Sequence, residues 1–470
     1  MLVRLQVDGF KNLVGFDAEF GPFNCIAGEN GVGKSNIFDA IEFLSLIANG
    51  PLMEAARQVR STREDNAGEP HHLFPGANPS LGPMRFRAEM IVPSSVEDDF
   101  GVTVKPSISL LVYEVEIAFE EPSKSQRQGR LVVERESLTH INRGDASQHL
   151  GFPHSRREFR DYVVFGRRSG GPFISTLPED GRITVHQDGG SRGRAKRGLP
   201  TRATTTVVST INSAEDPTIL AVRREMQSWR RLALEPTALR AADRFSDPQQ
   251  MSPDGQHLAA ALSRIAAAAG DADSDASPAD VFARVTSRLA GLNGVDIRSL
   301  RVDADETRQL LTVITRDRNG RELPARSLSE GTLRYLALSV LLEDSSVTGL
   351  ICMEEPENGI HPANLEEMVT LVRDLAVDPF SRPGAENPLR QVIVNTHSPA
   401  VVQLAGEDAL LLATAAPTAD RGLLGLRVDG LTGSWRAGRH GRDGALKSSL
   451  LAYLTAPPGA QIAMFTADVA

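Results

Sequence analysis

Only two cysteines, Cys25 and Cys352, occur in the 470 residues, and both sit inside apolar runs. Two thiols cannot staple a chain of this length, and such cysteines serve as small core hydrophobes in a reducing compartment. No apolar run approaches the roughly 18–20 residues needed to cross a bilayer; those at 258–262 and 409–413 are typical. Residues 1–20 carry charge throughout and lack the apolar core and small-residue cleavage site of a secretory signal. These absences predict a cytoplasmic protein without a membrane partner. His71, His72 and His361 lack the Cys/His/Asp spacing of a zinc site, and no G-x-S-x-G or Cys–His pattern points to nucleophilic catalysis. No internal repeat is evident. What remains, 41% apolar and 24% charged residues, is an ordinary globular composition with room for two or three core-forming units.

The chain is not a broadly cationic one either. A net charge of −9 and a pI near 5.7 argue against a surface coated in phosphate-binding charge. The charge is uneven, however. Residues 123–203 hold sixteen Lys and Arg against eight Asp and Glu, a net of +8, leaving about −17 on the remainder. The densest part runs from Arg156 to Arg202, and residues 188–202 form a Gly- and Arg-rich loop pattern. Such a stretch is either a solvated charge-rich loop or a contact for duplex backbone. Phe159, Tyr162, Phe165 and Phe173 are the aromatic residues nearby, and most of them are expected in the core, which disfavours stacking on single strands.

Residues 2–8 alternate apolar and polar side chains, the period of a half-buried strand. Residues 14–20 read as a second strand and 23–27 as a short buried third. After a glycine-rich stretch, Ile37, Ile41, Phe43, Leu44 and Ile47 fit a helix over 35–48. From about 50 to 295, strand-like runs (84–92, 107–119, 130–136, 162–165, 182–186) alternate with polar loops. Helical patterns follow at 218–234, 255–269 and 279–290, with 268–278 resembling a linker. A second series begins at 327: a polar turn, an apolar helix at 333–342, a strand at 349–353, a helix near 363–375 and a strand at 391–395. A last strand is expected at 409–413.

Gly28, Glu29, Asn30, Gly31, Val32, Gly33, Lys34 and Ser35 match G-x-x-x-x-G-K-[ST], and Asn36 follows. The three glycines let the backbone wrap a phosphate closely at a helix N-terminus. Lys34 is expected on the β- and γ-phosphates of ATP, and the Ser35 hydroxyl on Mg²⁺. The apolar run 350–353 ends in Glu354 and Glu355, then Pro356. Adjacent carboxylates at a strand end point apart, so one can support Mg²⁺ while the other orients the attacking water. Leu328, Ser329, Glu330, Gly331 and Thr332 open a helix; taken alone Ser329 is a plain N-cap, but with Gly331 it also suits a phosphate. The strand at 391–395 ends in Thr396, His397, Ser398 and Pro399, where a histidine can hydrogen-bond a γ-phosphate.

The order of these motifs resembles that of ABC-type ATPases of the RecF/SMC/OLD branch. More closely, the chain is similar to the bacterial AAA-domain "predicted ATPase" family within it. The similarity rests on Gly9-Phe-Lys-Asn12 with GENGVGKSN, on LSEGTLRYLAL at 328–338, on MEEPENGIHP at 353–362 and on NTHSPAVV at 395–402. It implies an α/β fold, an ABC-type P-loop head of mixed sheet and flanking helices. That head would be split between residues 1–50 and 295–470, around a β-rich insertion (50–217) and a helical arm (218–294). By position it implies that Gly28 to Ser35 are the Walker A loop and Leu328 to Thr332 the ABC signature. Glu354, in place of the commoner Asp, becomes the Walker B acid and Glu355 the catalytic base. Asn358 to His361 become the D-loop and His397 the switch histidine. Gln126, Gln128 and Gln148 remain candidates for the Q-loop glutamine. About 70 residues follow His397 without an acidic D-x-D cluster, so no TOPRIM nuclease is expected. In this class the signature of one chain completes the phosphate site of another, so a head-to-tail homodimer is implied. Two roles follow: a nucleic-acid-linked ATPase of DNA repair or phage defence that grips duplex DNA, or a regulatory ATPase controlling a separately encoded effector protein, a nuclease or toxin.

Overall fold

The computed structural model describes residues 1–59, 69–122, 129–177, 181–186, 188, 195–200, 202–270, 277–418, 422–441, 444–445 and 448, with 195–199 by backbone alone. The chain divides into two compact units. One comprises Met1–Arg230, Asp378–Pro383 and Gly406–Ala470, the other Arg231–Val377 and Gly384–Ala405.

The first unit is built on an eight-stranded sheet. Its spatial order is Ala195–Pro200, Arg182–His186, Ile174–Leu177, Arg130–His140, Leu110–Glu120, Met84–Ile91, Leu2–Asp8 and Phe16–Glu19. All neighbours are antiparallel. The period-two pattern of residues 2–8 puts Leu5 and Val7 into the core, both nearly inaccessible. Beside this sheet the buried strand Phe23–Gly28 pairs in parallel with Leu410–Pro417, which pairs antiparallel with Leu424–Gly430. Phe23–Gly28 leads through the glycine loop into the helix Ser35–Ile47. Phe10, Phe43 and Phe86 meet with ring centroids 5.4–5.6 Å apart, pinning that helix to the sheet.

The compact units do not follow the boundaries expected at 50, 217 and 295. Leu2–Asp8 pairs directly with Met84–Ile91, so the N-terminal strands and the segment after residue 50 share one core. The helix Pro217–Gln227 packs in the same unit, where Arg223 donates to the Ala48 carbonyl at 3.2 Å. Residues 162–165, read as a strand, instead lie at the short helix Asp161–Val163 and its exit, with Tyr162 half exposed. Phe159 and Phe173 are fully buried, as expected of core residues.

One buried group in this sheet has a pH consequence. Glu136 accepts from the backbone N–H of Val207 (2.6 Å) and Val208 (3.1 Å), the first turn of helix Val207–Thr210, and from the Tyr113 hydroxyl (3.1 Å). Burial outweighs these donors and pushes its carboxyl up to about 7. Between pH 4.5 and 7 the folded state therefore holds a proton that the unfolded chain releases. Stability should fall as pH rises through that window, by up to roughly 3 kcal/mol, and level off above it. Glu136→Gln removes this titration at the cost of an amide facing a backbone donor. Urea midpoints at pH 5 and 7.5 should therefore differ less in the variant, and equal slopes would exclude the assignment.

The second unit centres on the parallel pair Gly349–Glu354 and Arg390–Thr396, in register so that Glu354 lies opposite Asn395. Both strands carry an apolar centre (350–353 and 392–394) and are buried along nearly their whole length, as strands covered on both faces require. Arg390 is fully buried and donates to the carbonyls of Val347 (2.9 Å) and Asp344 (2.7 Å). A smaller antiparallel sheet joins Leu310–Arg316 to Ser299–Asp305, Asp243–Arg244 and Glu322–Pro324. The helices Leu258–Ala269 and Pro278–Ala290 pack against Glu330–Glu343 rather than forming a free-standing arm. Arg284 and Arg288 clasp Glu343 at 2.7 and 2.6 Å, and Arg264 pairs with Asp344. Ser277 and Asp280 form a capping box that starts the second of these helices.

Candidate nucleotide-binding site

In the first unit the strand Phe23–Gly28 ends where the glycine loop begins. A Cβ on Gly28 would stand 2.6 Å from the Ala413 carbonyl oxygen on the neighbouring strand, so only glycine fits. Gly31 and Gly33 adopt φ of +81° and +102°, open to glycine alone without strain. Lys34 is buried, and its Nζ donates to the carbonyls of Gly28 (2.6 Å) and Glu29 (2.8 Å), so the ammonium lies against the loop itself. Asn30 and Gly31 are exposed at the tip, Val32, Ser35 and Asn36 half-buried. Burial also raises the Glu29 carboxyl above its ordinary range, and its Oε1 is enclosed. The Asn12 side chain reaches under the loop, donating to the Val32 carbonyl (2.9 Å) and accepting from the Asn36 amide (2.8 Å).

In the second unit the two parallel strands deliver their polar ends together. Glu355 follows Gly349–Glu354 directly and takes φ of +46°, a left-handed conformation that is rare for a side-chain-bearing residue and costs on the order of 1–3 kcal/mol. Its backbone N–H donates to the Asn395 carbonyl at 3.0 Å. Its Oε1 lies 2.9 Å from His397 Nδ1, and its Oε2 accepts from Asn358 Nδ2 at 2.7 Å. Thr396 donates to Glu357 Oε1, and burial raises the Glu357 carboxyl. Glu354 points elsewhere: its Oε1 takes the Arg231 guanidinium at 2.7 Å. The two adjacent acids thus hold separate partners, as their alternation at a strand end requires. A cavity of about 190 Å³ lies beside them, lined among others by Leu232, Arg334, Met353, Glu354, Glu355 and Asn358.

Ser329 is the exposed N-cap of helix Glu330–Glu343, its Oγ 2.8 Å from Thr332 Oγ1 and accepting the Thr332 N–H at 3.3 Å. Gly331 is buried, and a Cβ there would meet the Gly359 carbonyl oxygen at 2.3 Å. The glycine lets residues 355–359 approach the helix, and Arg334 clamps that approach by donating to the Asn358 carbonyl.

Residues 186–403, a little under half the chain, match the family model described as "AAA domain, putative AbiEii toxin, Type IV TA system". Among curated proteins the chain is 30% identical over 86 residues to the DNA replication and repair protein RecF of Phocaeicola vulgatus, covering 16% of this chain and 23% of that one. It is 41% identical over 46 residues to RecF of Porphyromonas gingivalis, covering 10% and 13%. In these stretches the chain is similar to AAA-domain and RecF proteins. It spans less than a quarter of the length of these RecF relatives. A structure of the SMC head domain from Thermotoga maritima aligns over 90% of this chain and 97% of that one, at 13% identity and a TM-score of 0.35. Among the described residues, no helix is long and apolar enough to cross a membrane.

Reading the sequence missed Asn12, Glu357 and Arg231 as partners of the motif residues. These pairings bridge elements distant in sequence, which leave no local pattern to read. Of the glutamines considered, Gln126 and Gln128 lie outside the described residues. Gln148 is exposed, and its carbonyl accepts from Arg439 at 2.6 Å. In the basic segment, Arg156 and Arg157 stand near Asp161 and Glu158 (3.9 and 3.6 Å). Arg168 stacks on Phe173 at 4.0 Å, and Arg202 pairs with Glu120. Lys124, Arg127, Arg192 and Arg194 lie outside the described residues, as do the side chains of Lys196 and Arg197.

Proposed function

We propose that this protein hydrolyses ATP with Mg²⁺ as a head-to-tail homodimer and couples the nucleotide state to a nucleic-acid transaction, in DNA repair or phage defence. The observation that carries the hydrolytic part is the Glu355–His397 hydrogen bond at 2.9 Å between the ends of two parallel strands. A carboxylate positioned by an imidazole and by Asn358 suits a group that accepts a proton from water. Glu355 acts as that base, and His397 holds it while offering its other ring nitrogen to the γ-phosphate. Gly28 to Asn36 cradle the phosphates, and Lys34 leaves its loop carbonyls for the β- and γ-oxygens. Ser35 and Glu354 would hold Mg²⁺, which when bound neutralises charge on those oxygens. Ser329 and Gly331 of one chain complete the phosphate site of the other.

The RecF relatives' name supports the DNA reading, with the basic stretch from Arg156 to Arg202 as the contact. By sequence, Arg192, Arg194, Lys196 and Arg197 are the densest cationic cluster of that stretch and the place to test it. Turnover should vanish in EDTA, and duplex DNA should bind weakly, more tightly with ATP, with affinity falling steeply as salt rises. Reversing those four residues to Glu should remove DNA binding and spare basal turnover. If the wild type binds no duplex at low salt with ATP, the second reading leads: a regulatory ATPase controlling a separately encoded nuclease or toxin. The AbiEii toxin–antitoxin description of the matching family favours that alternative.

A further inference from the structure

The turn that precedes the second strand lies against the glycine loop. Lys11 takes φ of +49°, which swings the chain so that the side chains of Lys11 and Asn12 both reach the loop and its helix. Lys11 Nζ pairs with Asp39 Oδ2 at 2.7 Å, on a carboxylate almost wholly buried in the helix Ser35–Ile47. Asn12 Nδ2 donates to the Val32 carbonyl at 2.9 Å while its Oδ1 accepts from Asn36 Nδ2 at 2.8 Å. The Asn12 backbone is itself anchored, its carbonyl accepting from Leu426 N–H at 2.9 Å. Closeness at Gly33 is extreme: a Cβ there would stand 2.1 Å from Asn12 Nδ2.

We propose that Asn12 is a positioning residue that sets the curvature of the phosphate loop before nucleotide arrives; this rests on the reading that Gly28 to Ser35 bind ATP phosphates. In a trans peptide the carbonyl of one residue and the N–H of the next point in opposite directions across one plane. By holding the Val32 carbonyl on the outer side of the loop, Asn12 aims the Gly33 N–H inward, where phosphate oxygens collect donors. The amide serves because it carries a donor and an acceptor on one planar group: the donor fixes Val32 and the acceptor fixes Asn36. The gain lies in preorganisation, since a loop already curved loses less freedom on binding.

Two substitutions separate this role from general support of the fold. Asn12→Ala should raise both the equilibrium dissociation constant for ATP and KM by about tenfold, the scale of one lost hydrogen bond with its ordering. Its kcat should stay within about twofold, and its melting temperature should stay close to the wild type. Asn12→Asp keeps the acceptor for Asn36 but sets a carboxylate against the Val32 carbonyl. At pH 8 it should bind ATP more weakly than Asn12→Ala. Unchanged affinity in Asn12→Ala, a loss confined to kcat, or wild-type affinity in Asn12→Asp would overturn the inference. Wild-type protein that binds no ATP would instead sink the nucleotide reading of the loop itself.

Discussion

Glu355→Gln protein is expected to bind ATP with near-normal affinity and to turn it over at least ~100-fold more slowly, the lower end for a lost general base. The geometry makes this substitution informative. Gln has the same length and shape, its amide oxygen still accepts the Asn358 amide that now lies at 2.7 Å, and it does not change the backbone conformation at φ of +46°. What it removes is the charge and basicity facing His397 at 2.9 Å. A loss of kcat without a loss of affinity therefore isolates proton transfer from positioning. Turnover within a few-fold of the wild type, in protein free of contaminating ATPase, would move the role to another group. Glu357 stands two residues away, and its carboxyl, raised by burial, would be the next to test.

Ser329→Arg should abolish turnover while leaving ATP binding intact. Ser329 sits exposed at the N-cap of helix Glu330–Glu343, about 300 residues from the glycine loop in sequence. If it completes the phosphate site of a second chain, a bulky guanidinium there blocks the joint between chains, while the loop that binds ATP in its own chain remains whole. Replacing the cap also removes the acceptor for the Thr332 N–H, worth about 1 kcal/mol, so a melting curve must accompany the assay. Mixing this variant with Lys34→Ala protein should restore little activity, since only one composite site per dimer would be intact. Light scattering of Glu355→Gln protein with ATP should report a dimer. A strictly monomeric mass at micromolar concentration would leave the sandwich without support, and full turnover by Ser329→Arg would show that the signature serine does not complete the phosphate site.

The glycine loop, the helix after it, and the strands that end in Glu354 and Thr396 were legible in the sequence. Each is specified by neighbours a few residues apart: glycines that permit φ of +81° and +102°, a 3.6-residue apolar period, and apolar runs that must be buried. The helix read at 35–48 and the strands read at 349–353 and 391–395 lie within one residue of Ser35–Ile47, Gly349–Glu354 and Arg390–Thr396 at each end, whereas the helix read from 333 begins at Glu330. Pairings between distant segments were not legible, because hydrogen-bond partners are chosen by strand register and close packing, which leave no local pattern. Register decides that Glu354 stands opposite Asn395 and brings Glu355 to His397. The lack of a side chain at Gly331 lets the Gly359 carbonyl approach, and the turn at Lys11 sends Asn12 under Val32. Tertiary pairing likewise decided that Leu2–Asp8 and Met84–Ile91 are neighbours in one sheet. A stretch that reads as an insertion along the chain becomes part of the core because a strand edge left unpaired would strand its backbone donors and acceptors.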